Sequence, residues 1–186
     1  MNTLSQIDKS WTLFLDRDGV INHEKNENYI LNWNEFQFYD NVTQALAIFA
    51  KLFGTIVMVT NQRGVGKGLM SAADLDEIHA NMTAEIVRTN GRLDKIYYCS
   101  SMDNDCYERK PNPGMAFLAK KDFPGIDFSK GIMVGNKLSD MKFGRNSGML
   151  TVYLDTTNPE VPSPNELIDF RFPSLYAFAE SLYSVK

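Results

Sequence analysis

The chain has 186 residues, 44% of them hydrophobic and 23% charged, which excludes a disordered, fibrous or low-complexity protein and fits one globular domain over residues 1–186. A fold of this length buries roughly 70% of the surface of its unfolded chain, so the two cysteines need neither a bridge nor a structural metal. Nineteen Lys and Arg against 23 Asp and Glu leave a net charge of −4, which argues against nucleic acid or an anionic membrane as partner and points to small solutes.

The stretch from Met1 to Ser10 has no apolar signal core and no amphipathic import pattern. No apolar run approaches the length of a membrane span. With two cysteines only, a reducing cytoplasm is the expected compartment. No pattern in the chain sets an oligomeric state.

Trp11 to Leu15 is short, apolar and cut off by Asp16-Arg17-Asp18-Gly19, so it reads as a buried strand running into a loop. Val42, Ala45, Leu46, Phe49 and Leu52 recur at helical spacing, with Gly54 closing the segment as a C-terminal cap. Thr55 to Thr60 is a second strand that ends in the glycine-rich polar run Asn61 to Gly68. Ser71 with Asp74 reads as a capping box, opening a helix whose apolar face is Leu75, Ile78, Met82 and Ile86 and which Gly91 ends. Lys95 to Cys99 is a third strand, and Pro113 opens a helix through Phe117 and Leu118. Gly131 to Val134 is a fourth strand, Leu138 to Ser147 a helix stopped at Gly148, and Leu150 to Leu154 a fifth strand. Residues 155–167, with three Pro and two Asn, form a loop before a last short strand and helix. This alternation predicts an α/β fold, a three-layer sandwich with a mostly parallel central sheet and helices on both faces.

Asp16, Thr60-Asn61, Lys110 and Asn136 with Asp140 all follow predicted strands or lie in the loops after them. The carboxyl ends of parallel strands point one way, and the crevice beyond them is the usual ligand site, so these residues are expected to converge. His23 and His79 lack metal-ligand spacing and are assigned no catalysis, while Met58, Met82, Met115, Met133 and Met141 read as core.

Asp16-Arg17-Asp18-Gly19-Val20, Thr60-Asn61-Gln62, Arg109-Lys110-Pro111 and Gly135-Asn136-x-x-x-Asp140 resemble, in order, the four motifs of haloacid-dehalogenase-type phosphatases. The stretches FLDRDGVIN, TNQRGVGKG and RKPNPGM are similar to the branch that contains D-glycero-D-manno-heptose 1,7-bisphosphate phosphatase and histidinol-phosphatase. The resemblance implies a Rossmann-like fold without a large cap domain and Mg²⁺-dependent hydrolysis of a small phosphorylated metabolite. Asp16 would be the nucleophile that forms an aspartyl-phosphate, and Asp18 the acid and then the base. Thr60 and Asn61 would hold phosphoryl oxygens, and Lys110 would offset charge on nucleophile and phosphoryl group. Mg²⁺ would be held by Asp16, Asp18, Asn136 and Asp140. Gln62, Arg63, Lys67 and Arg109 would bind substrate, the cations suiting a second anionic group. Histidinol phosphate and a polynucleotide 3′-phosphate stay open as substrates, the latter disfavoured by the acidic net charge.

Two departures qualify the resemblance. Relatives carry a zinc loop, Cys-x-His then Cys-x-Cys, before the Arg-Lys-Pro motif; here Cys99 and Cys106 remain, but Ser101 and Glu108 stand at the other two positions, so no structural zinc is expected. Asn136 stands where the family usually has a metal-binding Asp. An amide oxygen still ligates but lacks the charge, so weaker Mg²⁺ binding, reduced activity or a phosphate-binding homologue of little activity follows unless Asp140 or Asp16 compensates, and a carboxylate restored at this position is expected to tighten Mg²⁺.

Overall fold

Thr12–Leu15 (β1) is buried at all of its positions, as a strand covered on both faces must be. In the computed structural model, which describes residues 3–25 and 28–183, it is followed by Val42–Leu52 (α1), Thr55–Asn61 (β2), Arg63–Gly66 (α2), Ala72–Arg88 (α3), Lys95–Cys99 (β3), Gly114–Asp122 (α4), Gly131–Gly135 (β4), Leu138–Ser147 (α5), Leu150–Leu154 (β5), Phe170–Phe172 (β6) and Leu175–Tyr183 (α6). Met1 and Asn2 of the N-terminal stretch read above lie outside the described residues. No helix among the described residues is long and apolar enough to cross a membrane.

The strands pair in parallel in the order β3-β2-β1-β4-β5-β6. Alternate side chains divide the core between the two faces of the sheet. Leu13, Leu15, Ile56, Met58, Ile132 and Val134 pack with Phe49 of α1, Ile78 and Met82 of α3 and Phe178 of α6. Phe14, Val57, Val59 and Met133 pack with Met115 and Ala119 of α4 and Phe143 of α5. The result is the three-layer α/β arrangement that the alternation predicts. Because β2 and β4 flank β1, the chain reverses direction across the sheet there, and the carboxyl ends of β1, β2 and β4 open on one crevice. Among the described residues, only irregular chain, a 3-10 turn at Trp33–Glu35 and α1 lie between β1 and β2, and only α2 and α3 between β2 and β3.

The Ser71 and Asp74 capping box, the arrest of α5 at left-handed Gly148 (φ 80°) and the burial of the five methionines match expectation. Two glycine assignments do not. Phe53, in extended conformation, ends α1, and Lys9 Nζ donates to the carbonyls of Ala50 and Phe53 left open there. Gly54 is instead a point of close approach: a Cβ on it would lie 2.0 Å from the Lys9 carbonyl oxygen. After α3 the left-handed residue is Asn90 (φ 62°), while a Cβ on Gly91 would lie 2.7 Å from Ile86. The run Asn61 to Gly68 contains the short helix α2, tight enough that a Cβ on Gly66 would meet the Ser100 carbonyl at 2.1 Å.

Gly148→Ala is expected to lose about 1 kcal/mol, the cost of a left-handed L-residue. Gly54→Ala should lose clearly more, because backbone must move, and urea unfolding of both variants checks this: a Gly54→Ala variant as stable as the unaltered protein contradicts it.

Candidate active site

At the end of β1 the Asp16 N–H donates to the Val134 carbonyl at 3.0 Å, which fixes Asp16 between β1 and β4. Its Oδ1 is 3.0 Å from Lys110 Nζ, which lies 2.7 Å from Asp140 Oδ1; the Lys110 side chain is 1% exposed. Asp140 reaches this position because Gly135 has no side chain, a Cβ there falling 2.2 Å from the Asp140 Cβ. The second Asp140 oxygen accepts the Lys137 N–H at 3.0 Å. Asn61 clamps the backbone of Lys110 from β2, donating to its carbonyl at 3.0 Å and accepting its N–H at 3.1 Å. Burial raises Asp16 to about 6 against the pull of Lys110, with Asp140 and Asp18 adding to the rise. Burial alone would lower Lys110, yet Asp140 and Asp16 hold it above the usual lysine range.

Asp18 is gripped differently. Arg17, fully buried, donates from Nη2 to both of its oxygens at 3.0 and 3.1 Å; Asn22 Nδ2 donates to Oδ1 at 2.9 Å and Gln62 Nε2 to Oδ2 at 2.8 Å. Burial acts to raise Asp18, but the Arg17 charge and these hydrogen bonds outweigh it and keep the carboxyl below its ordinary range. Gln62 Nε2 also donates to Thr60 Oγ1 at 2.9 Å, joining the ends of β1 and β2. The far side of the Arg17 guanidinium meets His79 of α3, with Nη1 and Nε2 at 3.3 Å. Arginine is always a donor, so His79 Nε2 accepts and the ring is neutral. Burial, reinforced by Arg17, lowers His79 to about 3.

Asn136 is fully buried beside this floor. Its Nδ2 donates to Glu24 Oε1 at 3.1 Å and to Thr157 Oγ1 at 2.5 Å, which leaves Oδ1 as a buried acceptor with no partner. The side chain lies on Gly19 (φ 82°), where a Cβ would come within 2.0 Å of Nδ2 and 2.8 Å of Oδ1, so the amide packs on this loop with its nitrogen the nearer end. A buried, unpaired carbonyl-type oxygen next to a carboxylate-rich loop fits a hard cation. Among the described residues no three His, Cys, Asp or Glu side chains form a cluster that could hold a metal ion.

A cavity of about 260 Å³ opens over the floor, lined by Asp16, Asp18, Thr60, Asn61, Gln62, Lys110 and Asp140, and at its rim by Arg63 and Arg109. It adjoins a second cavity of about 560 Å³ through the shared residues Glu24, Lys25, Asn28, Tyr29 and Lys137. Burial and the nearby Arg63 charge hold the Arg109 guanidinium below its usual range. Arg63 is braced by Met102 and Asn104, and Arg109 reaches the Ser101 carbonyl, so both hang on the loop after β3. That loop is tied by Ser101 and Asp103 side chains to following N–H groups and by Asn112 to the Cys106 carbonyl. Lys67 departs from expectation: it is exposed, does not line the cavity and lies 5.0 Å from the centre of the Tyr29 ring. Lys67 closes the turn of α2, its N–H donating to the Arg63 carbonyl at 2.9 Å, and this helical turn is invisible when 61–68 is read as loop.

The family described as polynucleotide kinase 3 phosphatase matches residues 12–151 of the chain. D-glycero-alpha-D-manno-heptose-1,7-bisphosphate 7-phosphatase of Mycobacterium bovis is 34% identical over 170 residues, 91% of this chain and 90% of that protein. D-glycero-beta-D-manno-heptose-1,7-bisphosphate 7-phosphatase of Escherichia coli K12 is 33% identical, with 88% of each chain covered. The crystal structure of D,D-heptose 1.7-bisphosphate phosphatase from B. bronchiseptica, complexed with magnesium and phosphate, superposes with a TM-score of 0.86 at 27% identity, covering 95% of this chain and 99% of that one. The chain belongs to the haloacid-dehalogenase-like phosphatases.

As a member of this family of phosphoric monoester hydrolases, the chain carries its four motifs on one crevice, at the ends of β1, β2 and β4 and in the loop before α4. Residues to which the sequence reading gave no role also take part. Arg17 and Asn22 hold Asp18, His79 backs Arg17, and Glu24, Lys25, Tyr29, Lys137 and Ser139 line the cavity. Arg17 had a signal in the sequence, since an arginine between two aspartates at a buried strand end needs a partner. Glu24 and Tyr29 had none, because irregular chain has no period.

The unfolded chain protonates His79 below about pH 6.5, whereas the folded protein resists until about 3, so this contribution to stability is present at neutral pH and is lost as pH falls. Between pH 7 and 5 the unaltered protein should lose about 2 kcal/mol relative to His79→Gln, which keeps an acceptor for Arg17 but does not titrate. Urea unfolding of both proteins at the two pH values measures this, and a gap that does not change with pH contradicts it.

Proposed function

We propose that the chain, acting as one phosphatase unit over residues 1–186, hydrolyses a small sugar bisphosphate of the D-glycero-D-manno-heptose 1,7-bisphosphate type with Mg²⁺ as cofactor, in the cytoplasm. The observation that carries this reading is the contact chain Asp16, Lys110, Asp140 on the floor of a cavity whose rim presents Arg63 and Arg109. One phosphate would lie over Asp16, and the two guanidiniums suit a second anionic group at the far end of the same molecule. The names of the relatives support the sugar, while the α and β anomers divide among them. Magnesium and phosphate in the B. bronchiseptica structure support the cofactor.

In the proposed reaction the Asp16 carboxylate attacks phosphorus in line, the bond from phosphorus to the leaving oxygen breaks, and water then releases phosphate from Asp16. Asp18 gives a proton to the leaving oxygen and takes one from the attacking water. The grip of Arg17, Asn22 and Gln62 favours its ionised form, so Asp18 is better prepared for the water step than for the acid step. Thr60 and the Asn61 backbone would receive phosphoryl oxygens, and Lys110 would offset their charge. Bound Mg²⁺, held by Asp16, the Asp18 backbone and Asn136, would supply charge neutralisation between nucleophile and phosphate. Asp140 serves the ion by holding Lys110. The Asn61 and Gln62 side chains brace the site, and Lys67 lies over Tyr29, which lines the cavity.

A turnover screen over both heptose bisphosphate anomers, histidinol phosphate and a 3′-phosphorylated oligonucleotide, with and without Mg²⁺, tests the substrate. The sugar bisphosphate should be the best substrate and activity should need Mg²⁺; preference for either other compound contradicts the reading. Asp16→Asn should abolish turnover, by a factor of roughly 10⁴ or more, with an unchanged circular dichroism spectrum. Retained turnover in that variant would remove Asp16 as nucleophile.

A further inference from the structure

Glu24 belongs to none of the four motifs, yet it lines the cavity with Asp16, Asp18 and Lys110, its side chain 16% exposed. Oε1 accepts the Asn136 amide at 3.1 Å and Oε2 lies 2.5 Å from Lys137 Nζ. The polarity of the first bond matters. A carboxylate accepts only, so it holds the nitrogen end of Asn136 toward itself and leaves Oδ1 as the free end, buried and without a partner. Asn136 and Glu24 are thus complementary: one offers a neutral oxygen, the other a negative charge beside the same amide. An Asp at 136 would lose the donor that faces Glu24 and bring a like charge up against it.

We propose that in this chain Glu24 supplies, through Asn136, the negative charge that a carboxylate at position 136 would otherwise bring to the magnesium site. Glu24 is a positioning residue, setting the orientation of Asn136 and the local potential while touching no reacting atom. Lys137 ties down its other oxygen and so restricts where the carboxylate stands. This inference rests on the magnesium-dependent reading above. It also alters an expectation from the sequence: the gain from Asn136→Asp alone is offset by repulsion from Glu24.

Calorimetric titration of Mg²⁺ into the full, substrate-free chain separates these contributions, with circular dichroism to show that each variant folds. Glu24→Gln, which keeps an acceptor for Asn136, should weaken Mg²⁺ roughly tenfold, the scale of one charge acting on a divalent ion across several ångströms of a wet site. Asn136→Asp should change affinity by less than about threefold in the unaltered background, yet recover most of the loss in the Glu24→Gln background. Glu24→Gln affinity within about twofold of the unaltered protein, or the same gain from Asn136→Asp in both backgrounds, overturns the proposal. Absence of saturable Mg²⁺ binding in the unaltered protein would contradict both this inference and the cofactor reading; binding that Glu24→Gln leaves unmoved contradicts the inference alone.

Discussion

Lys110 brings a single ammonium to 3.0 Å from Asp16 and 2.7 Å from Asp140, at a place where solvent screens very little. Two carboxylates this near one another in a dry floor repel, and without a cation between them at least one would take up a proton. Burial already lifts Asp16 to about 6, and Lys110 is the force that opposes a further rise and keeps a carboxylate present near neutral pH. With two carboxylates to one ammonium the floor still carries excess negative charge, which favours a cation, while Arg63 and Arg109 at the rim favour an anion. The cavity is therefore divided in sign from floor to rim, as suits a metal below and a phosphorylated solute above.

The backbone that holds this arrangement is the parallel sheet. Asp16 follows β1, Thr60 and Asn61 end β2, and Gly135 ends β4, and the register of these strands sets the side chains at their ends at one level. Lys110 comes from a loop with no strand of its own, so its position depends on the paired hydrogen bonds with Asn61. Close packing finishes the work: glycine at 135 lets Asp140 in, and glycine at 19 lets Asn136 lie on the loop that carries Asp16 and Asp18.

The strands and most helices were legible because burial on two faces writes near-continuous apolar runs, as in β1 and β2, and burial on one face writes helical spacing, as in α1 and α3. The convergence of Asp16, Thr60, Lys110 and Asn136 was legible from the same alternation, since a parallel sheet has one carboxyl end. Contacts between residues distant in sequence were not. Gly54 and Gly91 read as caps by their place after a helix, but their need is steric, set by Lys9 and Ile86. Lys67 read as a substrate-binding cation together with Arg63 and Arg109, and a four-residue helix sets it over Tyr29. The buried chain His79, Arg17, Asp18 joins α3 to the end of β1, and the bond between Glu24 and Asn136 joins two loops far apart in the chain. No local pattern encodes either.

The central claim is that Asp16, held by Lys110, is the group that takes the phosphoryl from substrate. Quenching the protein with acid during turnover, reducing with borohydride and sequencing the peptides by mass spectrometry tests it most directly, since reduction converts an aspartyl-phosphate to homoserine. The account predicts homoserine at position 16 and at no other aspartate. Turnover with the label absent from Asp16, or present at Asp18 or Asp140, would contradict it.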